Sequence, residues 1–105
     1  IPNREILLGK VLFYKTGAGN FGIMLITEVN NTSNNGMGHI TFDYKTFNSN
    51  GTVKKTGNGC EVKGGNPGFS FDLDNGSNVT DDFDFRLEGA KKFKPINRAI
   101  FYQWP

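Results

Sequence analysis

The distribution of hydrophobic and polar residues along the chain predicts short β-strands. In residues 39–48 apolar side chains occupy every second position, and polar side chains lie between them. This period of two is typical of a strand with one buried face. Residues 69–73 and 83–87 repeat the alternation with aspartates between the apolar positions. Only residues 88–97 leave room for a helical turn, which Pro95 limits.

Further strands are predicted at residues 5–14, 21–29 and 98–104. The run at 21–29 is apolar at almost every position, which indicates a central strand. Residues 52–55 and 60–63 predict a short polar hairpin around Asn58-Gly59. Asn-Gly pairs favour tight hairpin turns, and three more begin at Asn35, Asn50 and Asn75.

About eight short strands at near-regular spacing predict an all-β fold, an antiparallel β-sandwich or a small barrel, and of these we expect the antiparallel β-sandwich. A meander, a Greek key and a jelly roll are the strand orders that this pattern leaves open. The chain has 105 residues, including 14 glycines and 10 phenylalanines. We therefore expect one sandwich domain over residues 1–105, built from aromatic strands joined by turns.

Charge and cysteine content narrow the classes of function. A net charge of +2 argues against a strongly basic nucleic-acid binder, so we expect no nucleic-acid partner. No apolar run approaches the roughly 18 residues of a membrane span. The single Cys60 rules out an internal disulfide, which fits a reducing compartment or an exported protein without disulfides. We expect a secreted or cell-surface protein in which Cys60 and His39 have structural roles.

Four aspartates form the most acidic stretch of the chain, and we predict a metal site there. They are Asp72, Asp74, Asp82 and Asp84, on two strands expected to pair. Four carboxylates on one surface repel one another unless a cation, a base or water compensates them. No cofactor is required, but Ca²⁺ is a candidate because it prefers oxygen ligands. A solvated polar face and a carboxylate pair for glycoside hydrolysis are the alternatives.

Residues 17–22 match the pattern G-x-G-x-x-G of dinucleotide-binding loops. In those proteins the loop opens a helix whose N-terminus holds the pyrophosphate. Here a strand-like run follows, so the pattern predicts a glycine-rich hairpin turn.

Three aromatic residues are candidate ligand contacts. Phe47 lies on the polar face of its predicted strand, and Tyr102 and Trp104 share one face of the last strand. Exposed aromatic rings stack on sugars and also anchor protein interfaces. We expect a non-catalytic binding module for a glycan or a partner protein. A structural domain that assembles with copies of itself is the second hypothesis, and a small hydrolase is the third.

Overall fold

The computed structural model describes residues 8–30, 32–33, 35–65, 69–76, 84–88 and 92–103, which form eight β-strands. The strands are β1 Val11–Lys15, β2 Phe21–Asn30, β3 His39–Phe47, β4 Val53–Lys63, β5 Phe69–Phe71, β6 Phe85–Glu88, β7 Lys92–Pro95 and β8 Ile100–Gln103. These described residues form no helix, and hence none long and apolar enough to cross a membrane. The predicted all-β fold is confirmed.

The eight strands form two antiparallel sheets, which pack together as the predicted small sandwich. The larger sheet has the order β4-β3-β2-β1-β8, and the smaller has the order β5-β6-β7. Strands β1 to β4 are successive neighbours in the larger sheet and β5 to β7 in the smaller, so each of these runs is a meander. The last strand returns to the larger sheet and pairs with β1.

The core lies between the sheets and is rich in aromatic rings. Inward-facing positions of β1, β2 and β3 are fully buried, including Leu12, Met24 and Phe42. The ring of Phe42 packs edge-on against Phe71 of the smaller sheet, with centroids 5.1 Å apart. Phe85 stacks on another ring of its own sheet at 4.7 Å. This packing fixes which face of the larger sheet points to solvent.

The glycine-rich segment forms the predicted hairpin turn between β1 and β2, and its last glycine has a packing role. Gly22 pairs with Tyr14 across the two strands. A Cβ atom at Gly22 would lie within 2.5 Å of three atoms of the Tyr14 side chain. The Tyr14 hydroxyl donates to Thr46 Oγ1 at 2.6 Å, and the Thr46 hydroxyl donates to the Leu73 carbonyl at 2.6 Å. Gly22 therefore makes room for a buried ring that connects the two sheets.

The predicted hairpin at residues 52–63 is wrong, because this segment forms the single strand β4. The positive φ of Gly59, 64°, serves a β-bulge instead of a turn. At the bulge Asn58 and Gly59 lie opposite Asp43, whose Oδ1 accepts a hydrogen bond from the Gly59 amide at 2.8 Å. An Asn-Gly pair suits either structure, since both need a left-handed residue.

Two other segments differ from the prediction. Strand β7 occupies the place where a helical turn was expected, and its Pro95 is tolerated because β7 is at the edge of its sheet. Strand β1 starts at Val11 rather than at residue 5, and residues 5–7 lie outside the described part of the chain.

Candidate functional site

The face of the larger sheet that points away from the smaller sheet carries apolar side chains from all five strands. We call these nine residues the outer apolar face: Val11, Phe13, Phe21, Ile23, Leu25, Phe47, Val53, Ile100 and Tyr102. Phe21 and Tyr102 are the most exposed, at 63% and 62% of their surface. Apolar side chains at these positions have no second sheet to cover them among the described residues.

Strand register places these side chains in rows across the sheet. Phe21 pairs with Phe47, which pairs in turn with Val53. In the next row Phe13 lies between Ile23 and Tyr102. Five strands about 4.8 Å apart and three rows about 6.8 Å apart give a plan area of about 500 Å², of which the nine apolar positions among fifteen cover about 300 Å². Apolar patches of this size commonly mark interaction sites on soluble proteins.

The charges within the outer apolar face are mostly positive. Lys15 lies between Phe21 and Ile100 in the register, with its ammonium 5.6 Å from the centroid of the Phe21 ring. Lys45 pairs with Ile23 and has no carboxylate within ion-pair distance among the described residues. Asp43 is the acidic residue in these rows, and the negative charge of its carboxylate is partly compensated by the Gly59 amide described above. The face therefore favours a negatively charged neighbour.

A groove of about 340 Å³ opens on this face where β2, β3 and β4 run side by side. Its lining residues are Val11, Ile23, Leu25, Asp43, Tyr44, Lys45, Thr56 and Asn58. Aliphatic side chains form one wall, and polar side chains of β3 and β4 form the other. The groove thus combines an apolar pocket with a charged rim.

The structure places two of the three predicted ligand-binding aromatics on the outer apolar face. Phe47 is half-buried on β3, and Tyr102 is exposed on β8, three strands away. Trp104 lies outside the described residues. Ligand contact by these residues stays a prediction. Sequence reasoning missed the exposed Phe21, Ile23 and Leu25, because an apolar run in a central strand suggested burial on both faces.

Three of the four predicted calcium ligands meet where β5 ends and β6 begins. Carboxylate oxygens of Asp72, Asp74 and Asp84 all lie within 4.8 Å of one another. Asp82 lies outside the described residues. Asp72 and Asp84 are 2% exposed, so the alternative of a solvated polar face is wrong for them. The turn at residues 73–76 folds Asp72 inward instead of continuing the strand.

Hydrogen bonds from the protein compensate this three-aspartate cluster. Its donors are the amides of Gly17 and Leu73 to Asp84, the amides of Asp74 and Asn75 and the Asn75 side chain to Asp72, and the side chains of Thr16 and Asn20 to Asp74. Burial raises the pKa of Asp84 to about 7, against the effect of the two amides, and the charges of Asp74 and Asp72 add to the rise. The cluster thus ties the β1–β2 turn to the smaller sheet. Calcium binding there stays a prediction.

No protein-family model matches the chain, and no curated protein or solved structure shows significant similarity to it. The geometry of the described residues is therefore the basis for a functional assignment.

A polar network borders the outer apolar face at the far end of β2, β3 and β4. His39 Nε2 donates to Glu28 Oε1 at 2.9 Å and lies 3.7 Å from Glu61 Oε2, while Nδ1 is 2.8 Å from Ser33 Oγ. The hydrogen bond from His39 lowers the pKa of Glu28. The amide of Gly38 donates to the Ser33 carbonyl. This network joins three strands and a turn, and a structural role for His39 stays a prediction.

Proposed function

We propose that this protein is a non-catalytic binding module that docks a partner protein on its outer apolar face. The observation that carries the proposal is the outward exposure of nine apolar side chains that are spread over all five strands of the larger sheet. Association with a partner removes this surface from water, and each Å² of apolar surface buried contributes about 25 cal/mol of favourable free energy before the costs of association are subtracted.

The composition of the face favours a protein over a glycan. Five of its nine residues are aliphatic, and Tyr102 is the aromatic residue that carries a hydroxyl group. A sugar that stacks on a ring also needs polar groups for its hydroxyls. Aliphatic and aromatic side chains side by side are instead typical of the core of a protein interface.

Charge favours a different protein over a second copy of this chain. Two copies packed face to face would bring together surfaces that each carry two lysines, Lys15 and Lys45, against the one aspartate, Asp43, so both surfaces are net positive. A partner with carboxylates beside its apolar residues complements these lysines. Assembly through sheet edges is disfavoured too, since β4 is bulged and rich in lysine and β8 is short.

Peptide selection tests this proposal. A phage-displayed random peptide library is selected on the immobilised protein, and the binders are measured on two serine variants. Phe21→Ser lies on the outer apolar face, whereas Phe69→Ser on β5 is the matched control, because Phe69 is similarly exposed at 55%. We expect binders rich in apolar and acidic residues that lose at least about fivefold in affinity with Phe21→Ser only.

Other results would overturn the proposal. Peptides that bind Phe21→Ser and the wild type equally would remove the outer apolar face as the docking site. Binding to a glycan array that depends on Phe47 or Tyr102 would establish the glycan hypothesis instead. A dimer in sedimentation that Phe21→Ser dissociates would identify a second copy as the occupant, and adsorption to anionic vesicles would identify a lipid surface.

A further inference from the structure

We infer that the groove on the outer apolar face is an anchor pocket for a tryptophan side chain of the partner, with an acidic residue of the partner next to it. This inference rests on the proposed function, because it names the chemistry of the partner at the same face. A concave, mostly apolar site is where interfaces concentrate their binding energy. The rest of the face contributes by excluding water.

The size and the apolar wall of the groove call for a large side chain. Its volume of about 340 Å³ is at the small end of ligand pockets, which span about 300–1,000 Å³. Val11, Ile23 and Leu25 supply a wall of three aliphatic side chains on neighbouring strands. A flat ring covers such a wall and loses little conformational entropy on binding.

The polar wall selects an indole over a purely apolar ring. Asp43 Oδ1 accepts the Gly59 amide, and its other oxygen has no hydrogen bond to the described residues. That oxygen is a ready acceptor for the indole N–H, and a buried tryptophan usually needs such a partner. A phenylalanine in the groove would leave that oxygen without a hydrogen-bond donor.

The rim of the groove carries a lysine that favours an acidic residue in the partner. Lys45 lines the groove and has no carboxylate partner among the described residues. An acidic residue next to the anchor in the partner would pair with this ammonium group. Because such pairs on a surface are weak, the expected preference over a basic neighbour is about two- to fivefold.

Three short probes test each part of the inference by ¹H–¹⁵N NMR titration of the wild-type protein. They are the N-acetylated, amidated dipeptides Trp-Glu, Trp-Lys and 1-methyl-Trp-Glu, each titrated to about 10 mM, a range that detects weak binding. We expect Trp-Glu to shift the amide signals of Ile23, Leu25 and Lys45. We expect Trp-Lys and the N-methylated probe, which cannot donate from its ring, to bind more weakly.

Three variants separate the groove from its surroundings. Thr56→Phe fills the groove and is expected to abolish the shifts, whereas Val53→Phe, on the same strand and face but outside the lining, is expected to leave them intact. Lys45→Met keeps an unbranched side chain of similar length without the charge and is expected to remove the preference for Trp-Glu over Trp-Lys. Amide spectra of all three variants show directly whether the fold is retained.

Several results would overturn the anchor pocket. They are an absence of shifts with every probe, equal effects of Thr56→Phe and Val53→Phe, or equal binding of the methylated probe. If these occur while selected peptides still require Phe21, the proposed function stands and the anchor inference fails. If the dipeptides bind in the groove but no selected peptide requires Phe21, the proposed function fails and the groove remains a small-ligand pocket.

Discussion

Replacing Gly22 with alanine would put a methyl group where the Tyr14 ring lies. The new Cβ would be within 2.5 Å of three atoms of that side chain, so the ring has to move by more than 1 Å. Overpacking of this kind costs about 1–3 kcal/mol. A displaced ring also loses its buried hydrogen bond to Thr46, for about 1–3 kcal/mol more. We therefore expect Gly22→Ala to lower the free energy of unfolding by about 2–6 kcal/mol.

A double-mutant cycle measured by urea denaturation isolates the cause. In a Tyr14→Val background the ring is absent, so Gly22→Ala meets no clash. Alanine then favours the folded strand over glycine by about 0.5–1 kcal/mol, which reverses the sign of the effect. Gly19→Ala is the control, because Gly19 has a φ of 93° and no atom near its missing Cβ. Its cost is backbone strain and is expected to be the same in both backgrounds.

The reasoning fails if Gly22→Ala costs less than about 1 kcal/mol, or if it costs the same with and without the Tyr14 ring. Either result would mean that the ring and the glycine do not share the space that the structure assigns to them. The fold of β1 against β2 would then need another explanation.

Three other predictions concern the buried polar groups. Asp84 has a pKa near 4 in the unfolded chain and about 7 in the folded protein, so the folded state holds an extra proton between these pH values. The free energy of unfolding is therefore highest at low pH and falls by up to about 1.4 kcal/mol per pH unit as the pH rises from 4 to 7. Urea titrations should show this fall for the wild type but not for Asp84→Asn. Thr46→Val leaves two buried polar groups unpaired and should cost about 2–4 kcal/mol, against at most about 0.5 kcal/mol for the exposed Thr27→Val. If Ca²⁺ binds the three-aspartate cluster, a hundredfold excess over its Kd raises the free energy of unfolding by about 2.7 kcal/mol, and Asp74→Asn removes the rise in melting temperature.

Each of these three predictions has an outcome that would contradict it. An unchanged pH dependence in Asp84→Asn would assign the titration to another group. Equal costs for the two threonine variants would show that the Thr46 hydrogen bonds add no net stability. A melting temperature that is the same in Ca²⁺ and in EDTA would remove the calcium prediction.

The fold class was predictable from sequence, but one strand was divided in two and another strand was missed. Alternation at residues 39–48 and 69–71 identified strands correctly, because one face of each is buried and the other is not. The segment at residues 53–63 was divided in two since Asn58-Gly59 suits a bulge as well as a turn. The strand Lys92–Pro95 was missed because it is short and ends in a proline. The count of eight survived because one error added a strand and the other removed one.

The candidate site was harder to predict for a physical reason. The period of a strand shows that two faces exist, but it does not show which face another sheet covers. In β2 the inward Met24 and the outward Leu25 are equally apolar, and only the position of the smaller sheet distinguishes them. Likewise, the charge of Asp84 suggested solvent, whereas the chain beyond β5 turns and buries it among amide donors.

The pairing of β8 with β1 has a consequence for synthesis. Lys15 is made early and Ile100 late, yet the two pair directly in the larger sheet. A ribosome-bound chain can close the meander from β1 to β4 long before the smaller sheet exists. During that interval both faces of the sheet are in water and β1 has an open edge that can accept a foreign strand. We therefore expect nascent chains to be the form of this protein most prone to aggregation, and that risk falls once β8 emerges and covers the open edge of β1.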